Sequence, residues 1–237
     1  AVTEFDLNGP ATTAASTTAS DILTVDGVSY TFPVGGATVF VGDNTDGSAL
    51  FSTACLYGGP SNTLDDCGNV NAAITGGGTA MGASYDFENG LTAAVGYAGQ
   101  GSTTSGLLTE EGLDSYGINA AYTGDNYGVS VTFGSPETNE VAHFDTDTFT
   151  AFNAYYAPEG FPSISAGYEW GTDGSALTTA DESTSYFLGL QFDELGPGSA
   201  GVAMGTKTPT VEDTADLLMY EAYYSYPIND GMTITPL

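Results

Sequence analysis

The clearest structural signal in the chain is the run Met81-Gly-Ala-Ser-Tyr-Asp-Phe-Glu-Asn-Gly-Leu-Thr-Ala-Ala-Val-Gly-Tyr97. On both sides of Asn89-Gly90, mostly large apolar side chains alternate with small or polar ones. This two-residue period is that of a β-strand with two different faces. Asn-Gly is also a favoured dipeptide for a tight hairpin turn. The run therefore predicts two antiparallel strands joined by a short turn.

The same pattern recurs through the chain and predicts about twelve strands in consecutive hairpins. The other predicted strand pairs are 29–34 with 37–42, 116–122 with 127–133, 148–156 with 164–170, 186–192 with 200–204, and 217–226 with 232–234. Each pair closes through a few turn residues. The connections between pairs are long, at 99–114, 135–147, 172–183 and 206–216.

Alternating short and long connections are typical of outer-membrane barrels, and strands of about 8–10 residues are long enough to cross a bilayer when tilted. We therefore expect an all-β fold, an antiparallel up-and-down transmembrane β-barrel built of hairpins. Short turns would lie on one side and long acidic loops on the other. A soluble β-sandwich shows the same alternation along its strands and is the alternative fold.

Two regions differ in texture. Residues 1–28 are rich in Ala, Thr and Ser and show no periodicity, so we expect a poorly ordered lead-in. Residues 29–237 carry the strand pattern and form the predicted barrel domain, with a disulfide loop near 55–67. The face of each predicted strand that carries the large side chains should point to lipid or a packed protein layer. The face with the small residues should point inward.

Acidic residues dominate the charge. The chain has 30 Asp and Glu against one basic residue, Lys207, and one histidine, His143, and its formal net charge is −29. Phosphate binding needs Lys and Arg, so this composition argues against nucleic acid as a partner. A strongly negative chain attracts cations. We expect twelve carboxylates in the long loops to ring one mouth of the barrel: Glu110, Glu111, Asp114, Glu137, Glu140, Asp145, Asp147, Asp181, Glu182, Glu212, Asp213 and Asp216.

The two cysteines, Cys55 and Cys67, enclose a short stretch rich in Gly, Pro and Asn. In an acidic chain with no other cysteine, this arrangement predicts a disulfide formed in an oxidising compartment. Two free buried thiols are the alternative. A zinc site is disfavoured because no further Cys or His ligand lies nearby in the sequence.

The residues for catalysis or tight metal binding are scarce. One lysine and one histidine leave little scope for acid–base or nucleophilic chemistry, and we expect no enzyme and no cofactor. Asp43 and Asp46 lie near a Gly turn and are a weak Ca²⁺ candidate, although the run lacks the complete ligand loop and also suits a solvated turn. Weak Ca²⁺ or Mg²⁺ binding by the acidic loops is the milder expectation.

Several stretches resemble the porin domain of cyanobacterial outer-membrane proteins, the carbohydrate-selective and iron-uptake porins. They are Tyr30-Thr-Phe-Pro-Val-Gly35, Gly76–Leu91, Tyr186–Gly205 and Tyr220–Pro236. The resemblance implies a barrel that passes small hydrophilic solutes and inorganic ions, often as a homo-oligomer. This sequence departs from the family pattern in lacking a wall-binding domain, in stopping at Leu237 without a terminal aromatic residue, and in its low numbers of predicted strands and basic residues. We therefore expect a truncated porin domain.

These observations favour an outer-membrane channel that lies in a lipid bilayer and passes small solutes, with a preference for cations. The alternative is a secreted, β-rich structural or surface-fibre subunit derived from a porin-like chain, located at the extracellular surface. A soluble carbohydrate-binding sandwich is a third reading, and it would need exposed aromatic platforms in the loops.

Overall fold

The structure is a computed structural model, and it describes residues 2–7, 23–61, 64–75, 78–99, 108, 113–137, 147–172, 182–206, 210–211 and 215–237. These residues form a 14-stranded sheet in which paired strands are antiparallel. The strands neighbour each other in chain order, except that the short strand β12 pairs with β10 and β13 pairs with β11. The topology is therefore up-and-down, as the sequence predicts.

The strands are β1 Val2–Leu7, β2 Leu23–Val34, β3 Ala37–Thr45, β4 Gly78–Asp86, β5 Leu91–Gly99, β6 Asp114–Thr123, β7 Tyr127–Pro136, β8 Thr148–Tyr156, β9 Ser163–Thr172, β10 Glu182–Leu195, β11 Gly198–Thr206, β12 Thr210–Val211, β13 Leu218–Asn229 and β14 Met232–Ile234. Twelve of them correspond to the predicted strands, and β1 and β12 are additional. Short turns join the strands at one end of the sheet, where Gly35 and Gly196 adopt the positive φ that tight hairpins require.

The structure differs from the expectation for residues 1–28. Strand β1 lies within this lead-in, and β2 begins at Leu23. The reason is pairing, because Val2–Leu7 forms a ladder with residues 23–29 of β2. The hydrogen bonds of this ladder depend on the partner strand and are not predicted by the local sequence pattern. Residues 8–22 lie outside the described residues, and the domain boundary near residue 28 stays a prediction.

The two faces of the sheet differ as the alternation predicts. The face with large side chains is exposed, and it includes Leu91, Val95, Val131, Leu188 and Val202. On the opposite face, Ser130, Thr132, Asn153 and Ser165 are buried although they are polar. Among the described residues, no helix is long and apolar enough to cross a membrane.

Candidate functional site

The polar face of the sheet is covered by one long connection, residues 46–77 between β3 and β4. We call it the inner segment; residues 62, 63, 76 and 77 of it lie outside the described residues. It starts at the end of the sheet that carries the long connections and runs back across the polar face. The predicted disulfide loop is its central part.

The outgoing half of the inner segment runs along the inner face of the wall and is held there by its backbone N–H groups. Every second backbone N–H donates to a polar side chain on the wall: Ser52 to Asn119 Oδ1 at 2.9 Å, Ala54 to Ser130 Oγ at 2.9 Å, Leu56 to Ser165 Oγ at 2.9 Å and Gly58 to Gln191 Oε1 at 3.1 Å. Buried backbone N–H groups require acceptors. The small polar residues of β6, β7, β9 and β10 supply them.

At its far end the inner segment reaches β13. Tyr57 OH donates to Glu221 Oε1 at 2.7 Å, and Ser61 Oγ donates to Glu221 Oε2. The Tyr57 ring packs against Phe187 and Tyr223 in a buried cluster. Burial, followed by the hydrogen bond to Glu221, raises the pKa of Tyr57. The phenol therefore stays protonated and remains a hydrogen-bond donor.

The return half is tied to the wall and to the outgoing half. Cys67 forms the predicted disulfide with Cys55, and its carbonyl oxygen accepts a hydrogen bond from Asn153 Nδ2 at 2.8 Å. Further along, the backbone N–H groups of Asn71 and Ala72 both donate to Glu169 Oε2 at 2.8 Å. The disulfide and these hydrogen bonds together define the path of the segment.

Glycines on the wall allow the close approach of the inner segment. A Cβ atom at Gly96 would overlap the carbonyl oxygen of Gly47, and one at Gly167 would overlap the carbonyl oxygen of Cys67. Both obstacles are backbone atoms, which a side-chain rotation cannot clear. The small-residue face predicted from the sequence is therefore a docking face for this segment over β5–β13.

The described part of the chain leaves residues on the other side of the inner segment exposed. Ser52, Asp65 and Asp66 are exposed, and so is Thr31 on β2, which lies on the same face of the sheet as Phe40. Surrounding protein raises the pKa of Asp66 by desolvation even though its side chain is solvent-exposed; the backbone N–H of Gly68 partly offsets this, and Asp65 adds to it. The interior is thus narrowed from one side, and its open part carries carboxylates.

The described part of the chain contains no basic side chain. Lys207 and His143 both lie outside the described residues, so the described interior holds no Lys, Arg or His. Within these residues no group of three or more His, Cys, Asp or Glu is arranged to hold a metal ion. Asp43 Oδ1 accepts a long hydrogen bond of 3.4 Å from the Thr79 hydroxyl, and the backbone carbonyl oxygen of Asp46 accepts the backbone N–H of Ala49. Weak Ca²⁺ binding by these two residues stays a prediction.

The structure places five of the predicted mouth carboxylates at the end of the sheet with the long connections: Asp114, Glu137, Asp147, Glu182 and Asp216. Asp114 and Asp147 are only 2% and 4% exposed. Asp114 Oδ1 accepts the Tyr97 hydroxyl at 2.6 Å, so this carboxylate binds neighbouring strands together rather than facing open solvent. The other seven lie outside the described residues: Glu110, Glu111, Glu140, Asp145, Asp181, Glu212 and Asp213.

Sequence reasoning missed the wall carboxylates that hold the inner segment. Glu169 and Glu221 each occupy a small-residue position within a predicted strand, Glu169 between Tyr168 and Trp170. A charge at such a position indicates an inward-facing functional group. The alternation of side chains therefore already pointed to these two glutamates. It did not show that they bind the inner segment.

The fold is similar to the β-barrels of porins of known structure. A porin structure refined at 1.8 Å resolution has 18% sequence identity and a TM-score of 0.61, over 90% of this chain and 73% of that chain. Two variants of the porin of Rh. blastica have 14% and 15% identity and TM-scores of 0.57 and 0.58, over 94% and 92% of this chain and 73% of each of theirs. At these identities the likeness shows the fold alone. No protein-family profile and no curated protein matches the sequence.

Proposed function

We propose that the protein is an outer-membrane channel for the passive diffusion of small hydrophilic solutes and inorganic ions, with a preference for cations. One observation carries the proposal: a long connection folds onto the polar inner face and narrows the interior while its other side stays open to solvent. A purely structural barrel needs no such segment. The likeness to bacterial porins supports the bacterial outer membrane as its location.

The outward face supports residence in a bilayer. Apolar side chains line it from strand to strand, and exposed aromatic residues lie beside the short turns, among them Tyr85, Phe87, Tyr122, Tyr127 and Tyr156. Aromatic rings at this level match a membrane–water interface. The family resemblance also implies a homo-oligomer, which belongs to the same proposal. So does the passage of carbohydrates and inorganic ions.

The preference for cations follows from the charges of the interior. Asp65 and Asp66 are exposed on the open side of the inner segment, and the described wall offers no basic residue opposite them. Fixed negative charge in a confined passage enriches cations and repels anions. The mouth carboxylates would add to this field, so the passage and its entrance have the same sign.

The test is reversal potential across a planar bilayer under a KCl gradient. At about 0.1 M salt, where charges act over about 10 Å, we expect clear cation selectivity, and at about 1 M, near 3 Å, much less. Replacing Asp65→Asn together with Asp66→Asn should lower the cation-to-anion permeability ratio several-fold, because one unit charge attracts another by about 1 kcal/mol at about 4 Å in water and about 1.4 kcal/mol is tenfold.

Asp125→Asn together with Asp230→Asn is the matched control, because it also removes two charges, one from the exposed turn between β6 and β7 and one from the exposed turn between β13 and β14. This variant should leave the permeability ratio unchanged. Absence of conductance in the wild-type protein would refute the channel. Conductance with anion preference at low salt would refute the role given to the carboxylates.

A further inference from the structure

The outward face of the sheet changes from apolar to polar at the end of β8, β9 and β10 that carries the long connections. Paired residues of these three strands form rows across the face. Two rows toward the middle of the sheet hold Ala154, Ala166 and Leu188, then Phe152, Tyr168 and Tyr186. The two rows beside the long connections hold Thr150, Trp170 and Thr184, then Thr148, Thr172 and Glu182. Four threonines and a glutamate therefore interrupt the apolar face at this end.

A cavity of about 280 Å³ lies over these two polar rows, and we call it the threonine groove. Its lining includes the outward side chains of Thr148, Thr150, Trp170, Thr172, Glu182 and Thr184. The hydroxyls of Thr148 and Thr172 bond each other at 2.9 Å. Within the described part of the chain, no side-chain hydrogen bond joins Thr150, Thr184 or Glu182 to another residue. Polar groups beside an apolar face need partners, so the groove is built to receive a polar molecule.

Trp170 gives the groove one aromatic side. Its side chain is 47% exposed, and its ring stacks on that of Tyr168, with the centroids 5.9 Å apart and the planes 28° from parallel. The two residues are successive outward positions of β9, so Tyr168 covers the indole face that is turned to the middle of the sheet. The other indole face is therefore turned toward Thr172 and the polar row.

An aromatic plane beside hydroxyl and carboxylate groups matches the two chemical sides of a sugar. The C–H groups of a pyranose ring pack on an aromatic face, which is large, rigid and apolar. The sugar hydroxyls act as donors to a carboxylate, and as donors or acceptors with threonine hydroxyls. The threonine groove offers both kinds of surface within two rows of one sheet.

Charge selects among the headgroups that a membrane lipid can present. A phosphate group would lie close to the carboxylate of Glu182, and the described residues contain no Lys or Arg to bind it. A neutral sugar carries no charge that Glu182 would repel. Beyond the groove, exposed Phe152, Tyr168 and Leu188 continue the apolar face toward the middle of the sheet. Acyl chains attached to the sugar can lie along these side chains.

We propose that the threonine groove binds the sugar headgroup of a neutral glycolipid of the surrounding bilayer. The sugar ring lies against Trp170, and its hydroxyls bond the threonines and Glu182. The site is on the outward face, so it is separate from the inner segment and from the proposed permeation path. The lipid source rests on the proposed membrane location, whereas the choice of a sugar over a phosphate does not depend on conductance.

The fluorescence of Trp170 tests the proposal without a label, because the chain has a single tryptophan. The full chain is refolded into phosphatidylcholine vesicles that contain an increasing fraction of a monohexosyl diacylglycerol with the same acyl chains. We expect a saturable shift of the emission, and we expect no such shift with phosphatidylglycerol. Native mass spectrometry of the detergent-solubilised protein should retain the glycolipid in preference to both phospholipids.

Two double variants locate the site. Thr172→Val with Glu182→Gln should weaken glycolipid binding at least about tenfold, equal to about 1.4 kcal/mol, because two groups that bond the sugar are changed while Trp170 stays as the reporter. Thr79→Val with Glu88→Gln is the matched control. It makes the same chemical changes on β4 and on the turn after it, away from the groove. The control should bind the glycolipid as the wild type does.

Each result decides between the claims. Wild-type emission that does not distinguish the glycolipid from the phospholipids overturns the inference without any variant, as does an equal loss of binding in both double variants. A soluble methyl hexoside that shifts the emission as strongly as the glycolipid overturns the lipid as the occupant. Failure to insert into vesicles refutes the membrane location and, with it, the lipid occupant. A protein that never conducts but binds the glycolipid refutes the channel and supports this site.

Discussion

A lysine on the outward face should destabilise the folded barrel far more than a lysine on the inward face at the same depth. Val41 on β3 points outward, is 45% exposed in the isolated chain, and pairs with Tyr30 and Met81. Thr31 follows Tyr30 on β2, points to the opposite face, and is exposed to the interior. The variants Val41→Lys and Thr31→Lys thus place the same charge on neighbouring strands, one ladder position apart and on opposite faces.

The expected difference follows from what surrounds each position. If lipid surrounds Val41, its lysine costs about 2–4 kcal/mol near the bilayer midplane and less toward either interface. Thr31→Lys should change the free energy of unfolding by no more than about 0.5 kcal/mol, because the new ammonium lies in water and replaces a side chain without a packing role. Because the net charge is −29, the added lysine reduces the overall charge and adds no charge repulsion.

Guanidinium titration of protein refolded into lipid vesicles measures both values. A large loss for Val41→Lys with a small one for Thr31→Lys is the expected result. Equal and small losses would show that the outward face is not in lipid. Equal and large losses would show that the open part of the interior is not filled with water, which would contradict the channel.

Two further predictions concern the inner segment. The disulfide between Cys55 and Cys67, which are 12 positions apart, should stabilise the segment by about 3 kcal/mol through loop-closure entropy. The double Cys→Ser variant should lose amide protection at residues 56–59 and 64–66, and unchanged protection there would show that the wall contacts suffice. Because burial raises the pKa of Asp66, its folded carboxyl binds a proton more tightly than an unfolded one, so segment stability should fall as pH rises from the ordinary Asp value through the raised one. Cation selectivity should weaken on acidification over that same window, and Asp66→Asn should abolish this step; a selectivity profile identical in the variant would contradict it.

The alternation of side chains predicted the twelve main strands, their order and the end at which each connection lies. It also assigned the exposed and inward faces, and the cysteine pair joins as expected. The pattern gave an incomplete view of the inward face. Ser130 is predicted to face the interior and does so, but it is buried under Ala54 and accepts its backbone N–H, so it does not line water. A charge at Ser130 should therefore be costly, contrary to what alternation alone suggests.

Strand β1 was missed for a related reason. Val2–Leu7 lies in a region in which the sequence shows no periodicity, and it forms a strand because its backbone pairs with β2. The mouth carboxylates show the same limit, since Asp114 belongs to a long loop by sequence but is buried against Tyr97 in three dimensions. In each case a partner distant in sequence changes the environment of a residue whose local pattern was read correctly.

By itself, the sequence determined the strands, the turns, the up-and-down order, the excess of negative charge and the cysteine pair. These properties depend on a period of two residues, on turn dipeptides and on composition, which are all local. Only the tertiary structure decided that the described part of the inner segment folds inward, that Asp65 and Asp66 on it are exposed, and that Glu169 and Glu221 anchor it. The physical reason is separation along the chain. The hydrogen bonds that hold this segment to the wall join residues from 63 apart, at Asn69 and Thr132, to 164 apart, at Tyr57 and Glu221. These separations are bridged only when the sheet curves around the segment.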